Sequence, residues 1–127
     1  MKINYKELLF TFLIVLGIIL IFTGIDYLAH LTSPDYSVPS RYFPNKMIYG
    51  TIIGFFTYLF IKNKKPLTKA LIFSSVIAVL LQIRYFIEGY NLNFVITFLF
   101  IHFFILLITS WIVFSKVKIK QKKAKRK

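Results

Sequence analysis

The chain has 127 residues, of which 57% are hydrophobic and 19% aromatic, and its mean hydropathy is +0.70. A soluble core of this size could not hide so many Phe, Ile and Leu side chains, because a small globule leaves much of its area exposed, so lipid is the solvent that the composition points to. Cys is absent, which excludes disulfides, thiolate metal sites, iron–sulfur clusters and thiol nucleophiles. The formal net charge of +13 invites a nucleic-acid partner. The basic residues flank apolar runs, however, as they do when charge retains loops on the cytoplasmic side of a membrane, and no nucleic-acid partner is expected.

Four apolar runs follow in chain order, and they predict an all-α, four-helix transmembrane bundle with an N-in/C-in arrangement. Leu8 to Ile25 has 18 residues without a formal charge, enough to span. It lacks the small-residue cleavage site of a signal peptide, so a retained helix is expected. Met47 to Ile61 has only 15, so it covers roughly 22 Å of a core about 30 Å thick. Its flanking Lys46 and Lys62 are expected to snorkel outward. Ala70 to Ile87 is interrupted near its end by Gln82 and Arg84, and Leu92 to Ser115 is the longest run, with 24 residues. Continuous rather than alternating runs argue for helices over a barrel. The expected organisation is one membrane domain over residues 1–115, with spans near 8–29, 46–62, 69–87 and 92–115. A basic, disordered cytoplasmic tail follows over 116–127.

Orientation comes from counting. Fourteen of the 17 Lys and Arg lie in the N-terminus, in the connection after the second run and in the tail. Only Arg41, Lys46 and Arg84 lie on the other side, which places both termini inside. Tyr27, Tyr36, Tyr42, Tyr49, Tyr85 and Tyr90 then form a belt at the outer interface. The outer loop from His30 to Lys46, with Pro34, Pro39 and Pro44, is expected to cap the bundle. The tail suits anionic lipid at the cytoplasmic surface. Glu7 is expected to pair locally with Lys6.

Ionisable groups within a span are expensive, so each is a candidate for function. Thr23, Asp26 and His30 share one stripe at the outer end of the first helix, and Arg84 and Glu88 are spaced to pair on the third. Together with His102 in the fourth span, Asp26, His30, Arg84 and Glu88 form the candidate ligand-binding or ion-pair cluster. His102 is placed about two turns, on the order of 10 Å, deeper than the others. On that depth difference no metal and no cofactor are expected. Gly50 and Gly54 form a small-xxx-small pair, and Gly17 and Gly24 lie a heptad apart, so all four are candidate helix-packing positions.

No phosphate loop, nucleophile elbow or HExxH motif is present, which leans against an enzyme. The leading expectation is a non-enzymatic subunit or assembly partner of a membrane complex, with other membrane proteins as partners. The alternatives are binding or transport of a lipid-like or cationic small molecule through the outer cluster with His102, and a membrane-embedded enzyme acting on a lipid headgroup. The compartment expected is the cell membrane. A Cys-free parent makes the topology directly testable: in intact cells, a cysteine introduced by Ser37→Cys should react with an impermeant maleimide, and one introduced by Asn63→Cys only after permeabilisation.

Overall fold

The computed structural model describes residues 4–126, with side chains described as far as Val117. Asn4 opens the first helix, α1 (Tyr5–His30), by accepting the amide of Glu7 on its side chain at 3.2 Å. After α1 the chain makes a single 3-10 turn, Pro34–Tyr36, whose first residue suits proline because that position has no intrahelical partner for its amide. The second helix, α2 (Tyr42–Ile61), carries Pro44 in its first turn, where no amide is needed. Pro66 likewise begins α3 (Pro66–Ile87).

The turn from α3 to α4 (Leu92–Arg126) is determined residue by residue. Gly89 takes the left-handed φ of +91° that a side chain would resist. The amide of Tyr90 then reaches the carbonyl of Tyr85, and that of Gly89 reaches Phe86, closing the end of α3. Two residues later Asn91 caps α4 by accepting the amide of Phe94 at 2.8 Å. So short a connection forces the two helices antiparallel, and they share the most extensive contact in the molecule.

The helices pack in the cyclic order α1, α2, α3, α4, each against two neighbours. Val15, Ile18, Ile19, Phe22, Phe73, Ile77, Leu106 and Phe114 fill the centre. The outside is just as apolar: Phe60, Phe86, Ile87, Phe100 and Phe104 are exposed on three helices. Helices that are apolar all round need lipid, not water, on their outer faces. Three of the four, α1, α3 and the Leu92–Val117 part of α4, are long and apolar enough to cross a membrane. The all-helical class and an integral membrane protein are therefore supported at that level.

Several local expectations change. Glu7 pairs with Lys62 at 3.6 Å rather than with Lys6, because the end of α2 returns beside the start of α1. Tyr42 and Tyr85 leave the proposed interfacial belt and are buried. The backbone of α4 stays helical to Arg126, so the tail expected to be disordered from 116 is helical in its backbone. Its side chains beyond Val117 lie outside the described residues, and so does its anticipated contact with anionic lipid.

The glycines divide. A Cβ at Gly54 would lie 2.9 Å from Phe73 and 2.9 Å from Val15, and one at Gly50 3.2 Å from Ile19, so both mark close approach of helices. Gly17 and Gly24 face open space and are not packing contacts, because their stripe on α1 turns away from every neighbour. In detergent, Gly54→Ala should therefore destabilise the bundle by about 1–3 kcal/mol. Gly17→Ala should be neutral or stabilising by about 0.5–1 kcal/mol, since alanine restrains the unfolded chain without a clash. Thermal unfolding of the two variants measures the difference.

Candidate functional site

The buried stripe on α1 consists of Thr23, Asp26 and His30, as the spacing predicts. Thr23 spends its hydroxyl on the carbonyl of Ile19 at 2.7 Å, the usual resolution for a threonine in an apolar helix. Asp26 has no such local option. Its carboxylate is fully buried, and its counter-ion comes from another helix: Lys46 Nζ lies 2.5 Å from Oδ2. Lys46, expected to snorkel outward, is 3% exposed and turned inward. The reason is electrostatic, since a buried carboxylate without a partner would cost several kcal/mol.

His102 donates from Nε2 to Asp26 Oδ1 at 2.8 Å, because a carboxylate can only accept. The expected 10 Å offset in depth is absent. It presumed that α1 and α4 end at the same level, whereas the ring of His30, the last residue of α1, stacks on Phe98 with centroids 4.1 Å apart. Phe98 lies six residues into α4, so the end of α1 is sunk by roughly 9 Å. The 3-10 turn fills the space above it, and Asp26 comes level with His102.

The two imidazoles are held differently. His30 Nδ1 lies 2.6 Å from the carbonyl of Tyr36 in the 3-10 turn, and a carbonyl accepts only, so that nitrogen carries the proton. His30 Nε2 then presents its lone pair, 3.2 Å from the Lys46 ammonium and 3.3 Å from Asp26 Oδ1. On the other ring, His102 Nδ1 accepts from Gln82 Nε2 at 2.6 Å. The formal charges of Asp26 and Lys46 cancel in this centre.

Lone pairs remain in excess. Gln82 Oε1 and Tyr85 Oη are buried without a hydrogen-bond partner among the described residues. The rings of Tyr85 and Phe43 also face the Lys46 ammonium at 5.1 and 5.3 Å. Every helix contributes to this centre: α1 gives Asp26 and His30, α2 Lys46, α3 Gln82 and Tyr85, and α4 His102.

Arg84 and Glu88 do not join it. They pair with each other at 3.2 Å while partly exposed, and Arg84 lies over the rings of Tyr42 and Tyr49. An i, i+4 pair on α3 faces outward once Gln82 and Tyr85 take the inner face. Lys46, Gln82 and Tyr85 were missed as site residues. A usable signal existed, since Asp26 has no cation within a turn on its own helix and Lys46 lies on the same side of the chain's topology.

A cavity of about 310 Å³ lies at the same end, lined by Asp35, Tyr36, Asn91, Asn93, Phe94 and Thr97. Tyr36 and Phe94 belong both to its wall and to the surroundings of His30. Toward the opposite end Lys69 is buried and donates to the Tyr58 hydroxyl at 3.4 Å. Ser74 and Ser110 are buried there, and their hydroxyls return to carbonyls of their own helices.

Removing one member of the buried ion pair should cost about 3–5 kcal/mol, since the survivor is left uncompensated. Lys46→Met and Asp26→Asn should each show this in thermal unfolding. The double variant should lose much less than the two losses together. No protein-family model, curated protein or solved structure matches this chain, so its chemistry is read from these residues alone.

Proposed function

We propose that this is a multi-pass protein of the cell membrane that binds a small cation at Asp26, buried between its helices toward the outer side. The observation that carries the reading is the surplus around one ammonium. Asp26 alone compensates the charge of Lys46, yet His30 Nε2 and two aromatic faces also face the ammonium, and Gln82 Oε1 and Tyr85 Oη stay unpaired elsewhere in the same centre. A staple between helices has no use for those extra donors of electron density, and each unpaired polar atom costs stability. A seat that exchanges one cation for another uses all of them.

The four-span, N-in/C-in arrangement belongs to this proposal. Glu7 beside Lys62 supports it, because α2 then runs antiparallel along the whole of α1, and a span by one implies a span by the other. The imbalance of Lys and Arg supports cytoplasmic termini. The cavity under Asp35 then opens outward, and its carboxylate draws cations toward Tyr36 and His30.

The test uses the full chain in nanodiscs, with thermal unfolding followed against a panel of sodium, potassium, methylammonium, manganese and zinc chlorides at constant ionic strength. At least one cation should stabilise the wild type saturably, and Asp26→Asn should abolish that shift. Equal behaviour of wild type and Asp26→Asn across the panel would overturn the reading and return the centre to a purely structural role.

A further inference from the structure

The geometry points to a divalent transition metal, of the zinc class, as the cation that exchanges with Lys46, held by Asp26, His30 and His102. The inference rests on the cation-binding reading of the same centre. Oδ1 of Asp26 lies 2.8 Å from His102 Nε2 and 3.3 Å from His30 Nε2, and one ligand atom from each residue lies within 4.8 Å of the others. Ligand atoms about 2.0–2.2 Å from a tetrahedral metal stand about 3.4 Å apart, so the three need only small shifts to share one ion. Two imidazole nitrogens exclude calcium and magnesium as the natural occupant, since both prefer all-oxygen shells. Two nitrogens and one carboxylate oxygen suit zinc and its neighbours, and leave a fourth position open.

The outer partners fit independently. A metal-bound histidine donates its remaining ring N–H to a carbonyl or carboxylate, which orients the ring. His30 already does so, with Nδ1 on the carbonyl of Tyr36 at 2.6 Å. His102 must move its proton from Nε2 to Nδ1 before Nε2 can bind metal, and its partner must then accept instead of donate. Gln82 is built for both states. Its Nε2 serves the metal-free ring at 2.6 Å, and its unpaired Oε1 serves the metal-bound ring after half a turn of the amide. The orphaned oxygen of Gln82 thus acquires a partner only when His102 binds metal.

Lys46 is the resident cation of the metal-free state. Its ammonium touches Asp26 Oδ2 and His30 Nε2, two of the three ligand residues, so ammonium and metal exclude each other. The carboxylate faces a cation in both states; when metal enters, the Lys46 ammonium swings away on its flexible stem, and a divalent ion with one carboxylate leaves a single positive charge at the centre.

Cobalt(II) and zinc titrations of the full chain in detergent, read by cobalt absorption and competition with a chelator, test the assignment. Wild type should bind one ion with a tetrahedral or five-coordinate cobalt spectrum. His30→Ala, His102→Ala and Asp26→Asn should each lose that spectrum. Gln82→Leu should weaken binding about 10–100-fold, and Arg84→Ala should leave it unchanged. Lys46→Met should bind more tightly than wild type. Wild-type protein that takes up no stoichiometric cobalt would overturn the metal assignment, even if Lys46→Met does not fold, and so would cobalt binding that survives loss of either histidine. Stabilisation by sodium or methylammonium but not by zinc or cobalt would remove the metal and leave the cation seat standing. Loss of every cation effect would remove both.

Discussion

A carboxylate in the middle of packed apolar helices is stable only if every element around it supplies compensation, and the geometry of this bundle follows from Asp26. The idealised cost of moving such an ion out of water is on the order of 20 kcal/mol, and several remain after relaxation. One ammonium, two imidazoles and an amide converge on it or on its partners from four helices. Each of those contacts fixes a register. Lys46 sets how far α2 slides along α1, His102 sets the height of α4, and Gln82 ties α3 to α4 beside them. Apolar packing alone would tolerate several such offsets, since Leu, Ile and Phe interdigitate in many ways.

The two ends of the bundle divide the work. Toward the end that holds Lys62 and Lys69, Val15, Ile77, Leu106 and Phe114 close tightly, Ser74 and Ser110 turn back on their own helices, and Lys69 reaches the Tyr58 hydroxyl on α2. Rigidity there comes from close approach, which Gly54 permits by leaving room for Phe73. Toward the other end, polar chemistry replaces packing: the 3-10 turn presents a carbonyl to His30, and Asp35 and two asparagines line the cavity beside it.

Much of this was legible in the sequence. Run lengths predicted four helices, and the stripe of Thr23, Asp26 and His30 was visible from spacing. What escaped was relative height. Sequence places each residue along its own helix, but the level at which one helix ends beside another depends on the cap, and here Pro34–Tyr36 covers an α1 that stops short. The same blindness assigned Arg84 to the centre and sent Lys46 outward. Helical phase separates Gln82 and Tyr85 from Arg84, yet phase alone does not say which face meets the neighbours. Lys46 turned inward because Asp26 offered no other cation, a demand visible only once both helices are in place. Gly17 and Gly24 looked like Gly50 and Gly54 for the same reason: small residues permit contact without requiring it.

The sunken end of α1 has an electrical consequence. In the proposed orientation His102 lies ten residues below the start of α4, roughly 15 Å down a core about 30 Å thick, so the Asp26 centre sits near the middle of the transmembrane field. A unit charge crossing the whole field gains or loses about 2.3 kcal/mol per 100 mV, so one reaching this depth from outside feels about half of that. Lys46 and Asp26 together add no net charge there. Any occupant that brings an extra charge makes the centre responsive to membrane voltage, through nothing more than the height at which one helix happens to stop.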